Sequence, residues 1–195
     1  MVEFQTFISN FMRLTKPSAL FDPPFSTSPP HAKLPSPRTS RARGNPMGDH
    51  LRFDRFADFL VREFPTAPRI WDIAGGMGRL NEALTARGRT VLTFDARTKH
   101  LPVPFAERLL TLDEPCTTDL VVGLHPDGAT RIIVVYAARH RLPFAVIPCC
   151  SDNSMPYKPW LRHIGDIARE AGFVVSEADL KITGRKRVVF GRWPT

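Results

Sequence analysis

The sequence predicts an α/β fold: a mostly parallel sheet of seven strands, with helices on both faces and an antiparallel strand at its C-terminal end. Three observations carry this. Short apolar runs alternate with segments of helical spacing over residues 49–195, as a layered parallel sheet requires. The run Asp119 to Leu124 is almost wholly apolar, the pattern of a central strand covered on both faces. The run Arg69 to Ile73 passes through Ala74, Gly75, Gly76 and Gly78 into a helical segment, and such small residues suit a tight strand-to-helix turn.

Each element follows in order. Asp49 is placed to cap a helix through Phe64, with Phe53, Phe56, Leu60 and Phe64 along one stripe, and Pro65 and Pro68 end it. After the first strand and its glycine turn, Arg79 to Arg87 reads as a helix closed by Gly88. Thr90 to Phe94 is the second strand and ends in Asp95. Pro102 and Pro104 argue against a long helix there, so Arg108 to Leu112 is read as the third strand, six residues before Asp119. The fourth strand leads to a helix through Ile132 to Arg139, and Phe144 to Ile147 is the fifth strand. Pro159 begins a helix carrying Trp160, Ile164, Ile167 and Ala171 at spacings of four, three and four before Gly172. The last strands, Phe173 to Ala178 and Arg187 to Arg192, are separated by a basic turn.

In such a sheet, ligands lie beyond the carboxyl ends of the strands, where the strand order reverses. A carboxylate at Asp95 is placed to accept hydrogen bonds from both hydroxyls of a ribose, which points to a nucleoside-containing cofactor. A dinucleotide fold requires a third glycine to bring helix and strand together over a pyrophosphate. Here Gly76-x-Gly78 is followed by Asn81, which disfavours a pyrophosphate. The pattern Asp72-Ile73-Ala74-Gly75-Gly76-Met77-Gly78 instead resembles the first motif of the class I S-adenosylmethionine-dependent methyltransferases, with Ala74 where that family often has glycine.

A second block, Gly123-Leu124-His125-Pro126-Asp127-Gly128-Ala129-Thr130, followed by Phe144 to Cys150, resembles the methyltransferase group whose fifth strand ends in Pro-Cys-Cys. That group includes tRNA (uracil-2'-O-)-methyltransferases, and the likeness spans roughly residues 69 to 160. It implies a Rossmann-like sheet holding S-adenosylmethionine. The implied cofactor residues are Asp72, Ala74, Gly75, Gly76 and Gly78 at the turn, Asp95 on the ribose, Leu112 and Asp113 flanking the adenine, and Leu124 at the fourth strand end. The chain departs from those enzymes in its compactness and in lacking a recognisable RNA-binding appendage.

Methyl transfer from a sulfonium is an in-line displacement in which an enzyme mainly positions two partners. A base, or a cation lowering the pKa of an acceptor hydroxyl, assists. His125, Asp127 and Lys158 are the catalytic candidates, with Lys181 a further cation. Asp127 before a glycine also fits a turn, and His125 also fits a helix cap or a hydrogen bond to cofactor. Cys149 and Cys150 are open to two readings, a thiolate nucleophile or small packing beside the acceptor. Lys181, Arg185, Lys186 and Arg187 form a basic turn suited either to phosphate contact or to a solvated loop. The expected activity is methylation of RNA, tRNA in particular and its ribose 2'-O position among the targets. The alternatives are a methyltransferase for a small metabolite or protein, and a cofactor-binding scaffold.

Composition sets the outer limits. The chain has 195 residues and is 43% hydrophobic, enough for one domain with a sizeable core. Residues 1 to 48 hold eight of the 19 prolines, and six basic residues against Glu3 and Asp22, so this segment supplies half of the net charge of +8. It reads as a disordered tail ahead of a domain over 49–195. Met47 is an alternative start. No apolar run approaches the ~20 residues of a membrane helix. Three cysteines make no disulfide framework, which points to a reducing, cytoplasmic setting, and no zinc-ligand spacing is present, so no metal is expected.

Overall fold

The computed structural model describes residues 49–148 and 155–194, all within Pro46–Thr195, the second of two units into which the chain divides. Along them run α1 (Arg52–Glu63), β1 (Arg69–Ile73), α2 (Arg79–Thr85), β2 (Thr90–Phe94), β3 (Phe105–Ala106), β4 (Leu120–Leu124), α3 (Thr130–His140), β5 (Phe144–Ile147), α4 (Tyr157–Glu170), β6 (Val174–Asp179) and β7 (Arg187–Arg192). The seven strands form one sheet in the order β3-β2-β1-β4-β5-β7-β6. Pairing is parallel from β3 to β5, and β7 is antiparallel to both β5 and β6. The order reverses between β1 and β4, so the carboxyl ends of these two strands flank a switch-point crevice.

Alternation along β1 divides the core. Ile70 faces α1 and α2, where it joins Phe56, Phe59, Leu60, Leu80 and Leu84 in one buried cluster. Phe190 of β7 enters that cluster edge-on to Phe59, with ring centroids 5.3 Å apart. Each fully buried ring or aliphatic side chain of this kind contributes roughly 1.5–3 kcal/mol of transfer free energy. Trp71 points to the opposite face, between Phe94 at 4.8 Å and Tyr136 of α3 at 5.5 Å. The Tyr136 hydroxyl donates to the Glu114 carbonyl at 2.9 Å, which pins the segment after β3 beneath α3.

The third strand is not where its apolar run placed it. Strand pairing occurs at Phe105 and Ala106, opposite Thr93 and Phe94, whereas 108–112 is loop with Leu109 exposed and only Leu110 turned into the core. Asn81 supplies the reason. Its side-chain amide, fully buried, donates to the Val91 carbonyl, to Thr93 Oγ1 and to the Pro104 carbonyl at 3.0–3.3 Å. The Pro104 carbonyl also accepts from Thr93 N, so the chain is drawn against β2 just before Phe105. A proline beside an edge strand forfeits no ladder bond. Asn81 thus fills the helix–strand gap that a third glycine closes in dinucleotide folds.

Asp49 also acts differently from expectation. Leu51 is the N-cap of α1, without a side-chain capping bond. The Asp49 carboxylate instead accepts from Leu51 N at 2.9 Å and from Thr183 N at 2.7 Å. This second bond ties the start of α1 to the hairpin between β6 and β7, at the same end of the sheet as the crevice.

Candidate functional site

The first wall of the crevice is built by β1 and β2. Asp72, next to last in β1, is fully buried. Thr93 Oγ1 donates to its Oδ2 at 3.4 Å, and Oδ1 has no hydrogen-bond partner. Burial pushes this carboxyl up to about 7, and the negative Asp95 nearby adds to the rise. Gly75 passes directly over it: a Cβ there would overlap the Asp72 carboxylate and approach Thr93 Cγ2 to 2.6 Å. Gly78 is constrained twice, by φ of +85° and by Val103 Cγ2 at 2.6 Å from any added Cβ. At the end of β2, Asp95 Oδ2 accepts from Gly76 N at 2.8 Å while Oδ1 accepts from Arg97 N at 3.0 Å. One carboxylate therefore joins the second strand end to the glycine turn.

The second wall is built by β4, the hairpin and the start of α1. Leu124 ends β4 and is almost buried. His125 follows in the left-handed region at φ +54°, its backbone N held by the Ile147 carbonyl at 2.9 Å. Its Nδ1 is buried and unpartnered. Burial first, then the positive charges of Arg52 and Arg185, lower this imidazole to about 4, so it is neutral at ordinary pH. Ala74, the first residue after β1, is also left-handed at φ +53°. Two non-glycine residues in a costly conformation thus face each other across the switch point, where strain clusters at functional sites. A cavity of about 910 Å³ opens here, lined by Ala74, Gly75, Gly76, Leu124, His125 and Asp127 together with Arg52 and Phe53 of α1. That volume accommodates a nucleoside-sized ligand. Asp95 is not in its lining; Arg97, whose guanidinium lies 3.4 Å from Asp95, is.

The sequence matches no protein-family model and no curated protein. Solved structures do match. A sugar N-methyltransferase from Streptoalloteichus aligns with TM-score 0.56 at 12% identity, over 90% of this chain and 100% of that one. The 1,6-didemethyltoxoflavin-N1-methyltransferase of Burkholderia thailandensis gives 0.53 at 14% identity, over 76% and 80%. Human N-acetylserotonin methyltransferase, in complex with SAM, gives 0.50 at 14% identity over 73% of this chain, which spans about half (52%) of that enzyme. The chain has the class I methyltransferase fold.

Within this methyltransferase fold, the remaining candidates separate. Leu112 and Asp113 do not follow the third strand. Asp113 pairs with Arg139 at 3.3 Å, in the last turn of α3 and so toward the amino end of β5. Glu107 and Arg108 take the place after β3 instead. Ahead of that strand, the His100 ring stacks on Phe105 at 3.8 Å, and Leu101 N donates to the Met77 carbonyl, joining this loop to the glycine turn. Lys158 lies exposed in the first turn of α4, away from the cavity lining. Arg187 pairs with Glu177 at 2.7 Å and with Asp179, and Lys186 Nζ is 3.8 Å from Asp179. Half of the basic turn is therefore neutralised by β6. Lys181 is exposed, and Arg185 lies over the Tyr157 ring at 4.0 Å. Cys149 and Cys150 lie outside the described residues. Among the described residues no His, Cys, Asp and Glu cluster fits a metal ion, and no helix is long and apolar enough to cross a membrane. Sequence reasoning missed Asn81 and Arg52; a buried asparagine where a fold class expects glycine was the available signal for the first.

Proposed function

We propose that the protein binds S-adenosylmethionine on the β1 and β2 wall of the crevice and methylates a small-molecule acceptor presented at the end of β4. The observation that carries this reading is the Asp95 carboxylate joined to Gly76 N beside a glycine turn at the switch point. Two features fit the cofactor: the cradle at Gly75 and Gly78 admits no side chain, and the orphaned Asp72 Oδ1 places unbalanced acceptor capacity beneath that cradle. When bound, S-adenosylmethionine supplies an electrophilic methyl group on a sulfonium. Asp95 retains lone pairs for ribose hydroxyls beyond its two backbone donors. Glu107 and Arg108, following β3, flank the adenine.

At the acceptor side, neutral His125 offers Nδ1 as a hydrogen-bond acceptor for an O–H or N–H. A base lowered to about 4 is weak for complete proton removal at neutral pH. Its role is therefore to orient the acceptor, while the Asp127 carboxylate, on the same cavity wall, is the group placed to receive a proton.

Two observations support a small acceptor over RNA. Arg187 and Lys186 are engaged by Glu177 and Asp179, which leaves little of the basic turn for a phosphate backbone. The structurally similar enzymes are named for N-acetylserotonin, 1,6-didemethyltoxoflavin and a sugar. Calorimetry with S-adenosylmethionine, followed by transfer of labelled methyl to a panel of small hydroxyl and amine acceptors and to bulk tRNA, tests both parts. Binding of one equivalent with label in a small acceptor is expected. Label in tRNA alone reverses the acceptor assignment, and absence of cofactor binding ends the whole reading.

A further inference from the structure

The acceptor side holds a cluster that methyl transfer by itself does not call for. Many arginines of the domain are balanced: Arg62, Arg69, Arg87, Arg108, Arg139 and Arg192 all sit within 3.3 Å of a carboxylate oxygen. Arg52 and Arg185 belong to a second group, Arg79 and Arg89 among it, that is not. Among the described residues neither has a carboxylate partner; Arg52 lies 4.7 Å over the Phe53 ring, Arg185 4.0 Å over the Tyr157 ring, and Arg52 Nε is buried with nothing to donate to. An unanswered buried donor on a charged group is costly. These two guanidiniums are also the ones whose charge reaches His125, and Arg52 and His125 line the same cavity.

The nearby charges do not cancel them. Asp49 lies within electrostatic range of Arg52, yet its two oxygens are taken by the backbone N–H groups of Leu51 and Thr183. The other titratable groups lining the cavity are His50, Asp54, Arg79, Glu82, Arg97 and Asp127, of which Asp54 is paired with Arg87 at 3.0 Å. The Asp49–Thr183 bond holds α1 and the hairpin together, so Arg52 from one element and Arg185 from the other approach His125 from two directions. Aromatic rings under both guanidiniums restrict them while leaving their N–H edges for a planar or tetrahedral oxyanion.

We propose that Arg52 and Arg185, beside His125, form an acceptor subsite for an anionic group, a carboxylate or a phosphate carried by the small molecule to be methylated. The proposal rests on the small-acceptor reading for its biological use, but the anion site is measurable without it. Between the two cations, such a group supplies the missing partner for Arg52 Nε and fixes the nucleophilic atom relative to the crevice.

The test is a histidine NMR titration of the full chain with inorganic phosphate and, separately, with benzoate, at constant ionic strength against chloride. An anion seated there offsets both guanidiniums, so the His125 titration should move up by about one pH unit. In R185Q the anion affinity should fall about tenfold, with R185K restoring most of it. A response to phosphate alone assigns a phosphorylated acceptor, and to benzoate alone a carboxylate; either supports the site. An unmoved His125 titration with both anions overturns it, as does a full response surviving in both R185Q and R52Q. Calorimetry with S-adenosylmethionine on the same sample separates the outcomes, because a failed methyltransferase reading removes cofactor binding and leaves the anion response intact.

Discussion

The two walls of the crevice differ in how their polar groups are answered. On the donor wall, Asp95 is engaged by Gly76 N, Arg97 N and the Arg97 guanidinium, and the turn is set by contacts too close for side chains. On the acceptor wall, His125 Nδ1 and Arg52 Nε have no partner, and two guanidiniums lack carboxylates. In the proposed reading the donor wall is prebuilt for one ligand shape, whereas the acceptor wall carries unanswered groups that a second ligand would satisfy. Asp72 is the exception on the donor side, a buried carboxylate with one free oxygen, and it lies directly under the cradle.

The largest expected effect breaks the donor wall. Gly75→Ala forces a methyl group into Asp72 and Thr93 and should cost about 2–4 kcal/mol in urea unfolding. Asp95→Ala comes next: the affinity for S-adenosylmethionine in calorimetry should fall by roughly 1–3 kcal/mol through loss of charge-assisted bonds, with the strands intact by circular dichroism. An unchanged affinity removes the ribose assignment.

Two pH-dependent effects of opposite sign sharpen the comparison. Asp72 is raised to about 7 from an ordinary 3.8, so the folded state holds a proton that the unfolded chain releases. Its contribution to stability declines as pH rises from about 4 to 7. Asp72→Asn should therefore stabilise by about 1–2 kcal/mol near pH 8 and by little near pH 4, after allowance for an unpaired amide. His125 is lowered to about 4 from 6.5, so the unfolded chain binds the extra proton. Stability is lost as pH falls from about 6.5 to 4, by roughly 1 kcal/mol once solvent screening of the part-exposed ring is allowed for. Denaturant midpoints across this range should show His125→Asn flattening the acid limb only. Smallest is Ala74→Gly: relief of the left-handed alanine, offset by a more flexible unfolded chain, should raise stability by about 0.5 kcal/mol.

Much of the donor wall was legible because its signals are local. Apolar run, glycines, helix and terminal acid sit within Arg69 to Asp95, and β1 and β2 fall where their apolar runs placed them. The third strand was misread because pairing there is decided by Asn81 and Pro104, a tertiary contact, rather than by the more apolar segment at 108–112. That error carried Leu112 and Asp113 to the wrong end of the sheet. The acceptor wall was less legible. His125 and Asp127 were readable beside the fourth strand, but Arg52 joins them only once α1 has packed onto the sheet through Phe56, Phe59 and Leu60, a tertiary contact that the Asp49–Thr183 bond, spanning 134 residues of sequence, reinforces. The neutralisation of Arg187 by Glu177 and Asp179 depends on strand register, which charge counting does not supply.

Calorimetry of the full chain with S-adenosylmethionine, alongside Asp95→Ala and R185Q, tests the division into two walls most directly. One bound equivalent, weakened in Asp95→Ala and unchanged in R185Q, is the predicted result. No binding to the native chain, or equal loss in both variants, contradicts it.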